Sequence, residues 1–397
     1  MKLTFDAETE SFRQTFVDWL EANMPPEAAT TERPSSTADL PQWARDWQRT
    51  QFDAGWLVPG NPPEYGGQNA TLIQQFIHNE VLATRHVADS FNPQALGIIV
   101  PSILTFGTEE QKERWAIPIL RGELTAALGM SEPNAGSDLA GLRTKAVLDG
   151  EEFVLNGQKV WTSGAHDADV ILTFVRTDPD APKHKGISCI LVPTDTEGVT
   201  RRPFGSYISP EDLDFNEVFF DDARVPAENL LGPLNAGWKV ANGSLGHERA
   251  MLWLNYSAAL DRFVDEFRNA VAGTDAADDD RLVDWYGSVA IDAQAVKLLG
   301  YRTLAKTRRG MIPTEQSILK LFSSESNQDA HARAIEELGA LGLDHETLSG
   351  PFRHLHLDGY MNSWFDGYLR TFAGTIAGGT SEIQRNIVAE RVLGMPR

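Results

Sequence analysis

Cysteine is nearly missing from this 397-residue chain: Cys189 is the single one, so no internal disulfide can form. That thiol sits in the apolar run Ile187-Ser-Cys-Ile-Leu-Val192, which reads as a buried strand, and a cytoplasmic location is expected. Basic residues are also in short supply. Thirty-five Lys and Arg against 56 Asp and Glu leave a formal charge of -21, which excludes a phosphate-backbone binding face, so no nucleic-acid partner is expected. Long hydrophobic runs are lacking as well, and none approaches the roughly 20 apolar residues of a membrane-spanning helix. The opening MKLTFDAETESFRQTFVDWL alternates charged and apolar residues at helical spacing, so it is expected to be neither a signal peptide nor a membrane span. No metal site is expected.

What is present is enough apolar material, 42% of the residues, to build several cores. From about residue 6 to 120 the apolar positions recur at helix spacing, as in Phe12, Phe16, Val17 and Leu20, with breaks at Pro25-Pro26 and Pro62-Pro63. From about 121 to 233 short β-rich runs take over: Phe153-Val154-Leu155, Val170 to Val175, Ile187 to Val192 and Val218-Phe219-Phe220. Asn156-Gly157 reads as a turn between two of these strands. After Asn235-Ala236-Gly237 long helices return through to Leu393, interrupted by the acidic stretch Thr274 to Asp280, which reads as a solvated connection.

Three segments narrow this layout to a family. The first runs from Ala127 through Leu128, Met130, Ser131, Gly136 and Ser137 to Lys145; alone, its SEPNAGSD core is also an ordinary Gly/Ser turn. The second is Asn156-Gly-Gln-Lys-Val-Trp-Thr-Ser163, in which strand alternation puts Trp161 and Ser163 on one face. A core tryptophan beside a surface serine is the alternative. The third is Ala377-Gly-Gly-Thr-Ser-Glu-Ile-Gln384, where Thr380 or Ser381 can cap a helix and Ser381 with Gln384 has capping-box spacing. Capping leaves the paired glycines unexplained.

With these segments the chain resembles the acyl-CoA dehydrogenase family of flavoproteins. The resemblance implies an α+β fold: an N-terminal helical domain at 1–120, a middle β-barrel or sandwich domain at 121–233, and a C-terminal four-helix bundle at 234–397. It implies FAD as cofactor, bound through Leu128, Met130, Ser131, Gly136, Ser137, Trp161, Thr162, Ser163, Thr380 and Glu382, with Ser137 also reaching the acyl-CoA. It further implies α,β-dehydrogenation to a trans-2-enoyl-CoA in lipid degradation, the β hydrogen leaving as hydride to flavin N5. An electron-transfer flavoprotein or a similar acceptor is the implied electron partner.

One position departs from the family. Many members carry the catalytic glutamate where this chain has Gly378. A backbone donor does not depend on the side chain, so the Gly378 N–H can still polarise the thioester carbonyl. A minority of the family, resembling isovaleryl- and long-chain enzymes, place the base before an arginine on the helix after the β domain. Leu245-Gly-His-Glu-Arg249 matches that place, which puts the base at Glu248 and Arg249 near the substrate, with His247 left structural. Helical spacing puts Glu248 in one stripe with Leu245, Leu252, Tyr256 and Leu260, facing the interior, where burial raises carboxylate basicity. A structural ion pair or a capping contact is the other reading of Glu248.

Two cofactor segments are altered as well. No Arg-x-x-Phe-Gly appears between 260 and 320, and the usual Gln-x-x-Gly-Gly reads Glu336-Glu-Leu-Gly-Ala340. These changes resemble bacterial dehydrogenases for bulky acyl or steroid side chains that assemble as heteromers. The expected assembly is therefore a homo-oligomer such as a tetramer, or a heteromer with a related subunit. The rival functions are a catalytically silent subunit, and a flavin-dependent oxidase, monooxygenase or desulfinase on the same fold.

Overall fold

The computed structural model describes residues 5–30, 40–85, 87, 90, 92–206, 213–249, 252–273, 275–311, 315–343 and 364–396. Within these ranges the side chains of 29–30, 244–249, 252–255, 275–276, 316–317 and 341 lie outside the described set.

The N-terminal segment is helical, as its periodicity implies. It comprises α1 (Ala7–Asn23), α2 (Glu27–Thr30), α3 (Gln42–Asp53), α4 (Leu72–Arg85), α5 (Val100–Phe106), α6 (Glu109–Gln111) and α7 (Ile117–Leu120). Local chemistry starts these helices. The Asp6 carboxylate accepts the Thr9 amide at 2.8 Å, and Thr108 with Gln111 forms a reciprocal capping box ahead of α6.

Among the described residues seven strands follow: β1 (Ala126–Gly129), β2 (Lys145–Asp149), β3 (Glu152–Lys159), β4 (Val170–Arg176), β5 (Ile187–Pro193), β6 (Val199–Phe204) and β7 (Phe215–Pro226). They form one mixed, curled sheet in the order β1-β4-β2-β3-β7-β6, with β5 paired antiparallel to β4 from Val170↔Pro193 to Arg176↔Ile187. β4 and β5 are apolar on both faces because both faces are covered. Val170, Leu172 and Phe174 point into a core with the helical residues Ile99, Ile103, Trp115 and Ile119. Their neighbours Ile171 and Val175 point into a second core with Phe153, Leu155, Val218 and Val225 of the sheet itself. Cys189 is fully buried in β5, as its apolar surroundings imply.

The Asn156-Gly157 turn is corrected. Both residues lie inside β3, where the register with β7 shifts between Leu155 and Gly157, so the pair forms a bulge. Gly157 adopts φ +148°, and a Cβ there would sit 2.6 Å from Thr144 Cα, so glycine serves close backbone approach. The β2–β3 turn instead falls at Gly150-Glu151, with Gly150 at φ +65° and Asp149 opposite Glu152.

Helices return with α8 (Gly237–Arg249), α9 (Leu252–Val271), α10 (Asp280–Arg308), α11 (Gln316–Leu338), α12 (Trp364–Ile376) and α13 (Ser381–Ile387). The acidic connection is a short 3₁₀ turn, Asp275–Asp278, after which the Asp279 carboxylate caps α10 by accepting the Arg281 amide at 2.9 Å. The helices centre on Phe263, Phe267, Trp285 and Trp364, whose rings meet edge to face.

The chain divides into two compact units. One gathers residues 1–32, 70–88 and 249–397; the other gathers 33–69 and 89–248 and contains the whole sheet. No helix among the described residues is long and apolar enough to cross a membrane.

Candidate active site

In the sheet-containing unit, the first two motifs are brought together by one buried carboxylate. Glu132 accepts from the amides of Arg143 (2.6 Å) and Thr144 (2.9 Å) and from Lys159 Nζ at 2.8 Å, while Lys159 Nζ also donates to the Met130 carbonyl at 3.1 Å. Lys159 is fully buried and Glu132 nearly so. The turn between β1 and β2 is thereby fastened to the end of β3, and Val160 N–H adds a bond to the Ser131 carbonyl at 3.0 Å. Burial opposes both charges, with different outcomes. For Glu132, burial pushes the pKa up, but Lys159 and the two amides outweigh it and hold the carboxyl below its ordinary value. For Lys159, burial wins over its single carboxylate partner and lowers the ammonium to about 8.

Lys159 ends β3, so Trp161 and Ser163 do not share a strand face, which corrects the expectation from alternation. Trp161 instead takes φ +62° and turns its indole outward, 59% exposed, with Phe204 and Phe215 edge-on at 5.2 and 5.4 Å. A non-glycine residue in the left-handed region costs on the order of 1–2 kcal/mol, so presentation of this ring is built in by the surrounding structure. Thr162 and Ser163 are buried beside it, and Thr162 Oγ1 has no hydrogen-bond partner among the described residues. Leu128, Met130 and Ser131 are half-buried, and Gly136 and Ser137 are exposed.

In the other unit, α12 ends at Ile376 and the chain turns through Gly378 (φ +67°) and Gly379 (φ +97°) into α13. Thr380 is the cap, its hydroxyl accepting the Ile383 amide at 3.3 Å. The Ser381–Gln384 capping box is not formed. Ser381 is already the first helical residue, its Oγ is buried without a partner among the described residues, and Gln384 Nε2 donates to the Gly378 carbonyl at 3.1 Å instead. Glu382 lies exposed in the first turn, its carboxyl held low by its own backbone amide and then by the Thr380 hydroxyl. Gly378 is exposed, and a Cβ added there would have no atom of the described residues within 4 Å.

Glu248 and Arg249 end α8, and their side chains lie outside the described residues, as do those of His247, Leu245 and Leu252. The stripe proposed through Glu248 spans residues 250–251, which are likewise outside the described set, while Leu260 is buried and Tyr256 half-buried in α9.

The residues present fit a flavin. An outward-facing indole, a buried hydroxyl at its side with no partner among the described residues, and a turn of small residues form a surface suited to a planar ring with polar edges. Sequence reading overlooked Glu132 and Lys159, although one acid and one base lie in the two motifs just before the residues it selected. It also overlooked Lys320, which meets the third motif from α11, 59 residues away in sequence. No local signal marks that contact.

Three family models match the chain: the acyl-CoA dehydrogenase N-terminal domain at residues 6–123, middle domain at 127–223 and C-terminal domain at 235–393. The chain is 34% identical to acyl-CoA dehydrogenase IpdE1 of Mycobacterium tuberculosis, over 98% of each chain. Against acyl-CoA dehydrogenase FadE26 of the same organism identity is 35%, over 86% of each. Among solved structures, the ChsE4-ChsE5 complex from Mycobacterium tuberculosis superposes with a TM-score of 0.81 at 30% identity, covering 100% of both chains. The Tcur3481-Tcur3483 steroid ACAD gives a TM-score of 0.81 at 28% identity, again over 100% of both.

Proposed function

This chain belongs to the acyl-CoA dehydrogenase family and is an oxidoreductase acting on an acyl-CoA; from that premise we propose that Glu248 is its base. The observation that carries the proposal is Gly378. The position has no carboxylate and lies at φ +67°, where an L-residue is strained by roughly 1–2 kcal/mol, so this corner is shaped for glycine. The family reaction needs a base, and Glu248, directly before Arg249 at the end of α8, matches the alternative place.

In this reading the Glu248 carboxylate takes the α proton of the thioester and becomes a carboxylic acid. Charge then develops on the thioester oxygen, which the Gly378 N–H meets as a donor. Arg249 and Ser137 hold the CoA ester. The family is flavin-dependent, and FAD, when bound, accepts the β hydrogen with its electron pair. Leu128, Met130, Ser131, Gly136, Ser137, Trp161, Thr162, Ser163, Thr380 and Glu382 would hold that cofactor.

The acyl chain is proposed to be bulky. The small pair Ala377-Gly378 and the likeness to a steroid ACAD support this. A heteromeric assembly with a related subunit is supported by the likeness to the ChsE4-ChsE5 complex and by Glu336-Glu-Leu-Gly-Ala340. An electron-transfer flavoprotein as acceptor and a cytoplasmic location complete the reading, with domains at 1–120, 121–233 and 234–397, a division supported by the matched family spans.

The test is anaerobic mixing of the purified protein, alone and with a co-expressed related subunit, with octanoyl-, isovaleryl- and cholyl-CoA. Bleaching of the flavin is expected, together with a product two hydrogens lighter and greatest speed on the bulky ester. A protein that carries FAD yet is reduced by none of the three esters in either form would refute the reading.

A further inference from the structure

The Gly378-Gly379 corner is held from two sides by side chains to which no role has yet been given. On α11, Leu319, Lys320, Ser323 and Ser324 are buried in one stripe, and Lys320 Nζ donates to the Gly379 carbonyl at 2.8 Å. From α13, Gln384 Nε2 donates to the Gly378 carbonyl. A Cβ on Gly379 would come within 2.8 Å of that same Nε2, the mobile end of a side chain, and the φ of +97° is what favours glycine there. A third link, Arg385 to Glu325 at 2.6 Å, ties α13 to α11 again.

Capping does not account for this arrangement, because Thr380 already performs it. An ammonium is costly to bury, and beside a helix N-terminus it also opposes the helix dipole. What the two donors achieve is geometric. In a trans peptide the N–H of one residue points opposite to the carbonyl of the residue before it. Fixing the Gly378 and Gly379 carbonyls therefore fixes the directions of the Gly379 and Thr380 N–H groups, and leaves the Gly378 N–H only the two rotations of one residue, φ and ψ of Gly378, from a clamped plane.

We propose that Lys320 and Gln384 are positioning residues for the acyl-CoA reaction, holding the Gly378-Gly379 corner so that its backbone donors meet the thioester carbonyl. The inference rests on the reading of that corner as the place where the carbonyl is held.

The variants Lys320→Met and Gln384→Glu test it in the FAD-bearing protein, assembled as purified. Gln384→Glu keeps size and replaces a donor with an oxygen that repels the Gly378 carbonyl, so it carries the test should Lys320→Met fail to fold. Two readouts are compared: amide hydrogen exchange over residues 377–384, which needs no substrate, and the limiting rate of anaerobic flavin reduction by cholyl-CoA. Expected are faster exchange in that segment and a fall in limiting rate on the order of 10²-fold, the usual consequence of misplacement by about 1 Å. FAD content should be retained, and Lys320→Arg should restore part of the rate. Unchanged exchange in folded variants would overturn the clamp. Raised exchange with an unchanged reduction rate would show that the clamp exists but that the corner does not hold the thioester.

Discussion

At the scale of single residues, Glu132 does the most to assemble the surface proposed to hold the flavin. Its two oxygens accept from two backbone amides and one buried ammonium, joining the β1 exit, the start of β2 and the end of β3. Removing one partner of a buried pair leaves the other charge uncompensated, at a cost of roughly 3–5 kcal/mol. Glu132→Ala is therefore expected to lose that much stability in urea unfolding, and to lose FAD affinity because Ser131 and Trp161 are no longer held. Normal stability with normal FAD binding would show that the pair is incidental. This residue was readable in SEPNAGSD as a letter but not as a hub, because its partners at 143, 144 and 159 become neighbours only when β2 and β3 pair. Trp161 shows the same limit. Its identity was legible, while the strand-ending turn that faces it outward is set by a backbone conformation that alternation does not encode.

At the scale of elements, the change of period from 3.6 to 2 and back placed helices, strands and helices in the observed order. β4 and β5 announced themselves as apolar runs because both of their faces are buried. β2 and β6 did not, since Lys145, Val147, Leu148 and Asp149 are exposed and β6 carries Thr200, Arg201 and Arg202. In the C-terminal helices the core carries one polar residue with a measurable consequence. His331 of α11 is buried, bonds the Asn327 carbonyl through Nδ1 at 2.9 Å, and sits 4.7 Å from the Phe263 ring, with Nε2 unpartnered among the described residues. Burial lowers its pKa to about 4. Between pH 6.5 and 4 the unfolded chain takes up a proton at this position and the folded chain does not, so stability falls as pH falls through that window. The loss attributable to this histidine is about 3 kcal/mol by pH 4. His331→Leu should flatten that part of the stability profile while other acid-sensitive groups keep theirs. An unchanged slope would mean that the imidazole is not held neutral.

At the scale of the whole molecule, the family was legible because three motifs spread over the chain agree with one another and with the helix, sheet, helix order. The tie of Lys320 to the third motif was not legible, since it depends on the packing of α11 against the α12–α13 corner. The proposed assembly with a related subunit belongs to this scale, and the altered cofactor segments are what support it. The central claim, that the carboxylate absent at Gly378 is supplied by Glu248, is met most directly by anaerobic reduction of the assembled, FAD-bearing Glu248→Gln variant with the acyl-CoA that bleaches the parent protein fastest. A positioned base contributes about 10²- to 10⁴-fold. The account predicts that the variant binds the ester with little change in affinity and loses at least that factor in reduction rate; reduction at the parent rate would contradict it.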